Sequence, residues 1–302
     1  YLAVAVIGGL VMLMGMFLLY HMAGTLDFEE LGRWMEQQTA SPMLYAAGVC
    51  ILTGFGAKAG VFPLHIWLPK AHPVAPAPAS ALLSGVLTKT GIYGVIVLTV
   101  RIFAGDMKWG NLILMLGVCT MFAGAVLAVF ALDLKRTLAC SSVSQIGFIM
   151  TGIGMCGLLY GEHALAAHGA MLHMVNHSLI KLVLFLSAGV IYMNTHRLDL
   201  NVIRGFGRRK LFLAGCFAVG ALSIGGIPLF SGYISKTLIH ESMLEYGAVG
   251  WIKLLEIVFI VSGGLTVAYM AKLFVTIFIE KNTDEALQRR YDGMQRYLSP
   301  LS

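Results

Sequence analysis

Charge is what this sequence has least of. Aspartate, glutamate, lysine and arginine together supply 12% of its 302 residues, against roughly 25% in an ordinary soluble domain. That scarcity excludes a water-exposed globular surface. With 58% hydrophobic residues and a mean hydropathy of +0.81, the chain reads as an integral membrane protein. Cysteine is sparse too: Cys50, Cys119, Cys140, Cys156 and Cys216 stand singly inside apolar runs, with no C-x-x-C. A disulfide framework, a zinc site and an iron–sulfur cluster are thereby disfavoured. Flavin and nucleotide fingerprints are also missing, so no cofactor and no metal is expected in this chain. The residue alternation of barrel strands is lacking, whereas 35 glycines suit closely packed membrane helices.

What is present is a series of apolar runs, each near the 17–25 residues or so that cross a bilayer. Eight are expected, at about 1–23, 43–66, 79–104, 109–132, 136–160, 164–193, 211–240 and 249–280. The acidic, amphipathic linker TLDFEELGRWMEQQTASP reads as a short surface helix. The tail after Lys281 is polar. The chain begins at Tyr1 inside an apolar run with no basic n-region, which is not a signal-peptide pattern; a piece of something longer is expected. A net charge of +6 invites a nucleic-acid partner, but the basic residues gather in the links between spans and read as topogenic. Lys70, Lys135, Arg136, Arg197, Arg204, Arg208, Arg209, Lys210, Lys281, Arg289, Arg290 and Arg296 fall after the second, fourth and sixth spans and in the tail. Arg33, Arg101 and Lys108 alone fall on the other side. By the positive-inside rule the tail is cytoplasmic, in a bacterial-type inner membrane.

Two spans are interrupted. Five of the eight prolines lie between Pro63 and Pro78, and a second break is expected at Pro228. Proline removes a backbone donor and clashes with the preceding turn. Freed backbone groups in lipid survive only against protein or water. Paired broken spans with opposite topology point to an inverted repeat and a transport site.

Ionisable residues recur inside the spans. His173, His177 and Lys181 follow one another at i, i+4 and stand on one helix face, in a run that also holds His168. Lys58, Lys89 and Lys236 complete a set of four intramembrane lysines. A charge at mid-membrane costs roughly 2.5–3.5 kcal/mol even on lenient scales, so such groups face protein or trapped water. For a single histidine, a satisfied core residue explains as much; for the whole stripe a proton relay is the better reading. Ser84, Thr88, Ser144, Gln145, His168 and Asn176 are the candidates to line it, most of them able to donate and accept hydrogen bonds. Lys253 and Lys272, near span ends, read as snorkelling, and Glu256 as a partner for Lys253 across one turn.

Four blocks carry a resemblance. GAKAGVFPLHIWLPKAHPVAPAPASALLSGVLTKTGIYG, LKRTLACSSVSQIGFIMTGIG, LHMVNHSLIKLVLFLSAG and GGIPLFSGYISK resemble the antiporter-like, proton-translocating subunits of respiratory complex I and related membrane-bound hydrogenases. The PKAHPVAPAPASALLSG variant looks most like the hydrogenase-4 and formate hydrogenlyase branch. The resemblance implies an all-α bundle of fourteen helices with two inverted five-helix repeats. Residues 1–105 would be the last three helices of the first repeat, 106–281 the second repeat, and 282–302 a polar tail. It also implies a relay of Lys58, Lys89, His173, His177, Lys181 and Lys236. Lys58 would pair with a glutamate two helices earlier, a position before Tyr1. GGIPLFSGY departs from the commoner Gly-Ile-Pro-Pro form, which keeps the break while altering its shape. The expected function is a proton-translocating membrane subunit of a redox complex, with other membrane subunits and a peripheral redox module as partners. A sodium/proton antiporter subunit and a purely structural anchor for a hydrogenase arm are the alternatives.

Overall fold

A break in a membrane helix is built from a residue that ends the helix and one that cannot continue it, and both expected breaks take that form. The computed structural model describes residues 1–36, 41–161, 164–247 and 250–294; Arg296 and the last stretch of the expected tail lie outside the described residues. Among the described residues the chain is helical and has no strand, only an isolated bridge between Asp133 and Asp199.

Helix α1 (Leu2–Ala23) stops at Gly24, whose φ of 73° suits glycine alone. Then comes the expected surface helix α2 (Phe28–Glu36). Ser41 and a proline at the first turn open α3 (Pro42–Ala59), with Ser41 Oγ accepting from the Leu44 amide at 3.2 Å. This helix ends at Gly60 (φ 79°), and after Pro63 the chain resumes as a 3-10 turn and α4 (Trp67–Val74). The third span joins α5 (Ala77–Leu82) and α6 (Thr88–Val97) through a wide π-helical turn, Leu83–Leu87. Next are α7 (Met107–Phe130), α8 (Leu134–Leu158) and α9 (Ala164–Thr195), the first two capped by Asp106 and Asp133. A short α10 (Leu200–Ile203) leads to α11 (Leu211–Gly225), which ends at Gly226 (φ 78°). Beyond Pro228 lies α12 (Ser231–Glu245). Helix α13 (Gly250–Phe274) and the small α14 (Glu285–Gly293) close the chain.

Among the described residues, seven stretches are long and apolar enough to cross a membrane. The expected seventh span, 211–240, is broken at Pro228 as expected, into two short helices meeting at Gly226–Phe230. Leu229 within that break is fully exposed and takes a φ of 78°, a conformation that disfavours any side chain. The links after the second, fourth and sixth spans meet the tail at one end of the bundle, as the charge pattern implies. Leu134 N donates to Leu198 O, Lys135 Nζ to Ala75 O, and Asn282 Nδ2 to Val202 O and Arg204 O. Lys272 corrects an expectation: it does not snorkel, but donates to Val129 O and Ala131 O, both at 2.7 Å, and so caps the end of α7.

Helix α8 is the axis of the bundle, with every residue of its apolar window buried. Glycine makes this possible. A Cβ on Gly147 would stand 2.1 Å from Met121 N, one on Gly124 2.4 Å from Ser144 N, and one on Gly154 2.5 Å from Leu114 N. Helices α7 and α8 therefore touch backbone to backbone, the use membrane proteins make of small residues.

Gly147→Val should separate these helices, because the atoms it meets are backbone and cannot turn aside. A loss at or above the upper end of the usual overpacking cost, about 1–3 kcal/mol, is expected as a lower thermal midpoint in detergent. Gly263→Ala, with nothing within 4 Å of the added methyl, is the control and should leave the midpoint in place.

Candidate functional site

The i, i+4 stripe on α9 holds. His173, His177 and Lys181 are all buried on the face that α9 turns to α8 and α12. His168 is not with them. It is exposed, because five residues of helix rotate it about 140° from His173, and it cannot line the same path.

Three of the four expected lysines are inside the bundle. Each is held by backbone carbonyl oxygen and none by a carboxylate, among the described residues. Lys89 Nζ donates to Ser84 O at 2.6 Å; the π turn at Leu83–Leu87 widens the helix and frees such a carbonyl for a side chain. Lys181 Nζ donates to Leu138 O at 2.8 Å and to Ser141 Oγ. Lys236 Nζ donates to Ile224 O at 2.7 Å, an acceptor left open where α11 ends at the second break.

Lys58 is a correction. It is exposed rather than inward-facing. The inner side of the last turn of α3 is closed by α6, where a Cβ on Gly91 would lie 2.5 Å from Phe55 O and 2.7 Å from Ala59 N. No long side chain fits there, so Lys58 projects from the outer face.

The inner groups are connected. Lys89 Nζ lies 2.7 Å from His177 Nδ1. While Lys89 is an ammonium it can only donate, which places the proton of a neutral His177 on Nε2; once Lys89 is an amine the direction can reverse. His173 bridges Gln145 Oε1 at 3.0 Å and Ser235 Oγ at 2.9 Å. Ser235 precedes Lys236 in α12 and also accepts from Asn176 Nδ2 at 3.4 Å; Asn176 makes a shorter bond, 2.9 Å, to Ser231 O. Ser84 Oγ is 2.7 Å from Ser142 Oγ, joining the π turn to α8, while Thr88 donates to Ser84 O at 3.0 Å. Ser144 Oγ, Gln145 Nε2, His177 Nε2 and Tyr269 Oη are buried without a protein partner. Groups of this kind in this density are what hold ordered water in a protein interior.

Several members went unrecognised in the sequence. His72 is fully buried with neither ring nitrogen bonded, and it stacks on Phe185 with centroids 4.6 Å apart; Lys181 Nζ is 5.9 Å from the same ring. It sits in the proline-rich stretch, where a rigid loop masks a histidine on a helix. Ser141, Ser142 and Ser235 resemble ordinary helix serines bonded to their own backbone. Only their clustering opposite the α9 stripe gives them away. Tyr269, on α13, has a spacing that suggests core.

Comparison with known proteins bears on the fold and the family. Residues 1–266 match the family described as NADH:quinone oxidoreductase/Mrp antiporter, TM. The chain is 34% identical over 294 residues to hydrogenase-4 component B of Escherichia coli (strain K12), covering 92% of this chain and 43% of that protein. It is 32% identical over 284 residues to formate hydrogenlyase subunit 3 of the same organism, covering 90% of this chain and 46% of that one. Among solved structures, a chain of the Mrp complex from Dietzia sp. DQ12-45-1b superposes with a TM-score of 0.84 at 26% identity, over 99% of this chain and 54% of that one. The chain thus spans less than half the length of these two curated relatives.

The contact between Ser84 and Ser142 can be tested directly. In a background whose five native cysteines are replaced by serine, Ser84→Cys with Ser142→Cys should form a reducible cross-link under mild oxidant. Ser84→Cys with His168→Cys should form none, since His168 faces outward. The gel mobility of each pair, with and without reductant, reads the outcome.

Proposed function

The chain belongs to the NADH:quinone oxidoreductase/Mrp antiporter transmembrane family, and from that premise we propose that it is a proton-translocating membrane subunit of a redox-driven complex of the membrane-bound hydrogenase or formate hydrogenlyase type. The observation that carries this reading is the buried series Lys89, His177, His173, Lys181 and Lys236, lodged among α6, α8, α9 and α12 with no carboxylate paired to any of these lysines among the described residues. A lysine held by carbonyls can give up its proton without breaking an ion pair. Each neighbour feels the change strongly, because charges in a low-dielectric interior interact far more than exposed ones. The histidines accept on one nitrogen and donate from the other, which suits them to bridge the lysines. Water on Ser144, Gln145, His177 and Tyr269 would complete the gaps.

In this reading the module that drives movement is a neighbouring, peripheral redox unit. This chain supplies the path and holds no cofactor of its own. Residues 1–105 and 106–281 are assigned to the two inverted repeats, whose breaks lie at Pro63 and Pro228. The basic end of the bundle, with α14, is assigned to the cytoplasmic side of a bacterial-type inner membrane. Lys58 lies off the seam and joins it only through a group packed against the outer face of α3. A sodium/proton antiporter subunit is the second reading, favoured by the similarity to a chain of the Mrp complex. The polypeptides that co-purify with the full-length protein separate the two: a nickel–iron catalytic subunit selects the first, antiporter subunits alone the second.

Lys181→Ala should abolish coupled proton movement and leave electron transfer measurable, in the complex reconstituted into vesicles. An unchanged ΔpH would remove Lys181 from the mechanism and return the chain to a structural role.

A further inference from the structure

One ionisable pair lies beyond the end of the row. His240 follows Lys236 by one turn on α12, and its Nε2 is 3.0 Å from Glu256 Oε1 on α13. This corrects the expected pairing of Glu256 with Lys253, which is exposed. Among the described residues it is the one histidine–carboxylate contact, and the salt bridges of arginine with carboxylates lie in the loop and tail at the opposite end. His240 and Glu256 are each about a quarter exposed (26% and 24%). His240 stands five residues before the end of α12, about 7.5 Å of helix. The pair therefore sits part-exposed at the rim of the bundle, near the end of α12.

Two aromatic rings separate the pair from the row. Lys236 Nζ lies 4.6 Å from the centroid of the Phe148 ring. Phe148 meets Phe259 edge-on with centroids 4.8 Å apart, and Phe259 stacks on His240 at 5.8 Å and 22°. On the inner side, the Phe148 centroid is 6.0 Å from that of His173. Both phenylalanines are buried. The order from inside to outside is thus His173 and Lys236, then Phe148 and Phe259, then His240 and Glu256. The other charged groups near the pair are Glu241 and Glu245 on α12 and Lys253 on α13, all exposed.

We propose that His240 and Glu256 form a proton-exchange station between Lys236 and the membrane surface, and that Phe148 and Phe259 form the barrier that isolates it from the row. This rests on the proton-translocating function proposed above. When the rings move apart and water enters between them, the Lys236 ammonium gives one proton to the free Nδ1 of His240 and becomes an amine. The imidazolium is held by the Glu256 carboxylate and then releases one proton to surface water. Lys236 is recharged from the row, so one proton crosses and every group returns to its starting state. Aromatic rings at this point have a clear physical effect: they leave no hydrogen-bonding atom between the two sides, which blocks proton leakage while they are closed.

The test uses the full-length protein in its complex, reconstituted into vesicles, with both the driven ΔpH rate and the passive leak of an imposed proton gradient measured. Glu256→Gln and His240→Gln, which keep polar side chains at the rim, should each lower the driven rate by about tenfold or more and leave the leak unchanged. Phe259→Ala should raise the leak several-fold. Phe259→Leu, which preserves apolar bulk, should hold the leak at the parental level and shows that the alanine result is not misfolding. Parental driven rates in both polar variants, with Lys181→Ala inactive, would overturn the station and spare the proposed function. An unchanged leak in Phe259→Ala would overturn the barrier. If Lys181→Ala also pumps normally, it is the proposed function itself that fails.

Discussion

Buried ammonium groups in this protein are met by carbonyl oxygen, and the rest of the architecture depends on that pairing. A lysine taken out of water and left without a partner costs several kcal/mol, on the order of 3–5 when an existing partner is removed. A carbonyl in a regular helix is already bonded to the amide four residues on and has one lone pair left, which is what Leu138 O in α8 gives to Lys181. The other acceptors are freed by irregular backbone. Ser84 O belongs to a π turn, Ile224 O to a helix that ends at a glycine, and Val129 O and Ala131 O to the end of α7. Lys135 and Lys210 near the basic end follow the same rule, on Ala75 O and on Phe206 O and Tyr291 O. Lys181 apart, the breaks, wide turns and helix ends are thus the sites where these charges are held.

A carbonyl differs from a carboxylate in what it permits. It stabilises an ammonium by a fixed dipole, yet leaves no stranded negative charge when the proton departs. The serines that share these acceptors extend the logic. The Leu138 carbonyl takes bonds from Lys181, Ser141 and Ser142, so a change at the lysine reaches the hydroxyl that touches Ser84. From there the contact runs to the π turn that holds Lys89. Two lysines on different helices are tied to one polar strip of α8.

The fold was legible where a single local signal decided it. Apolar length marked the spans, glycine with proline marked both breaks, and i, i+4 spacing placed His173, His177 and Lys181 on one face. Basic residues marked the loops that meet at one end. The misreadings share a cause: they needed knowledge of which face a neighbouring helix would cover. Lys58 and His168 are flanked by apolar residues just as Lys181 is, and periodicity alone does not say which side is inward. Gly91 closing against α3 turns Lys58 outward, and nothing near Lys58 in the sequence records that. Lys272 looked like a snorkelling residue because its partners lie more than a hundred positions away, at the end of α7. His72, Tyr269 and the serines of α8 are invisible for a related reason. Each is unremarkable on its own helix and acquires meaning only from the group set against it.

The burial of the apolar stretch of α8 on every side bears on how the chain is made. It is the least apolar of the seven candidate spans, it carries Ser141, Ser142, Ser144 and Gln145, and it has no face that prefers lipid. Such a segment gains little by partitioning into a bilayer alone. Helix α7, among the most apolar of the spans, precedes it by a link of three residues and touches it along its backbone. During synthesis the two are therefore suited to enter as a hairpin, with α7 carrying α8 across.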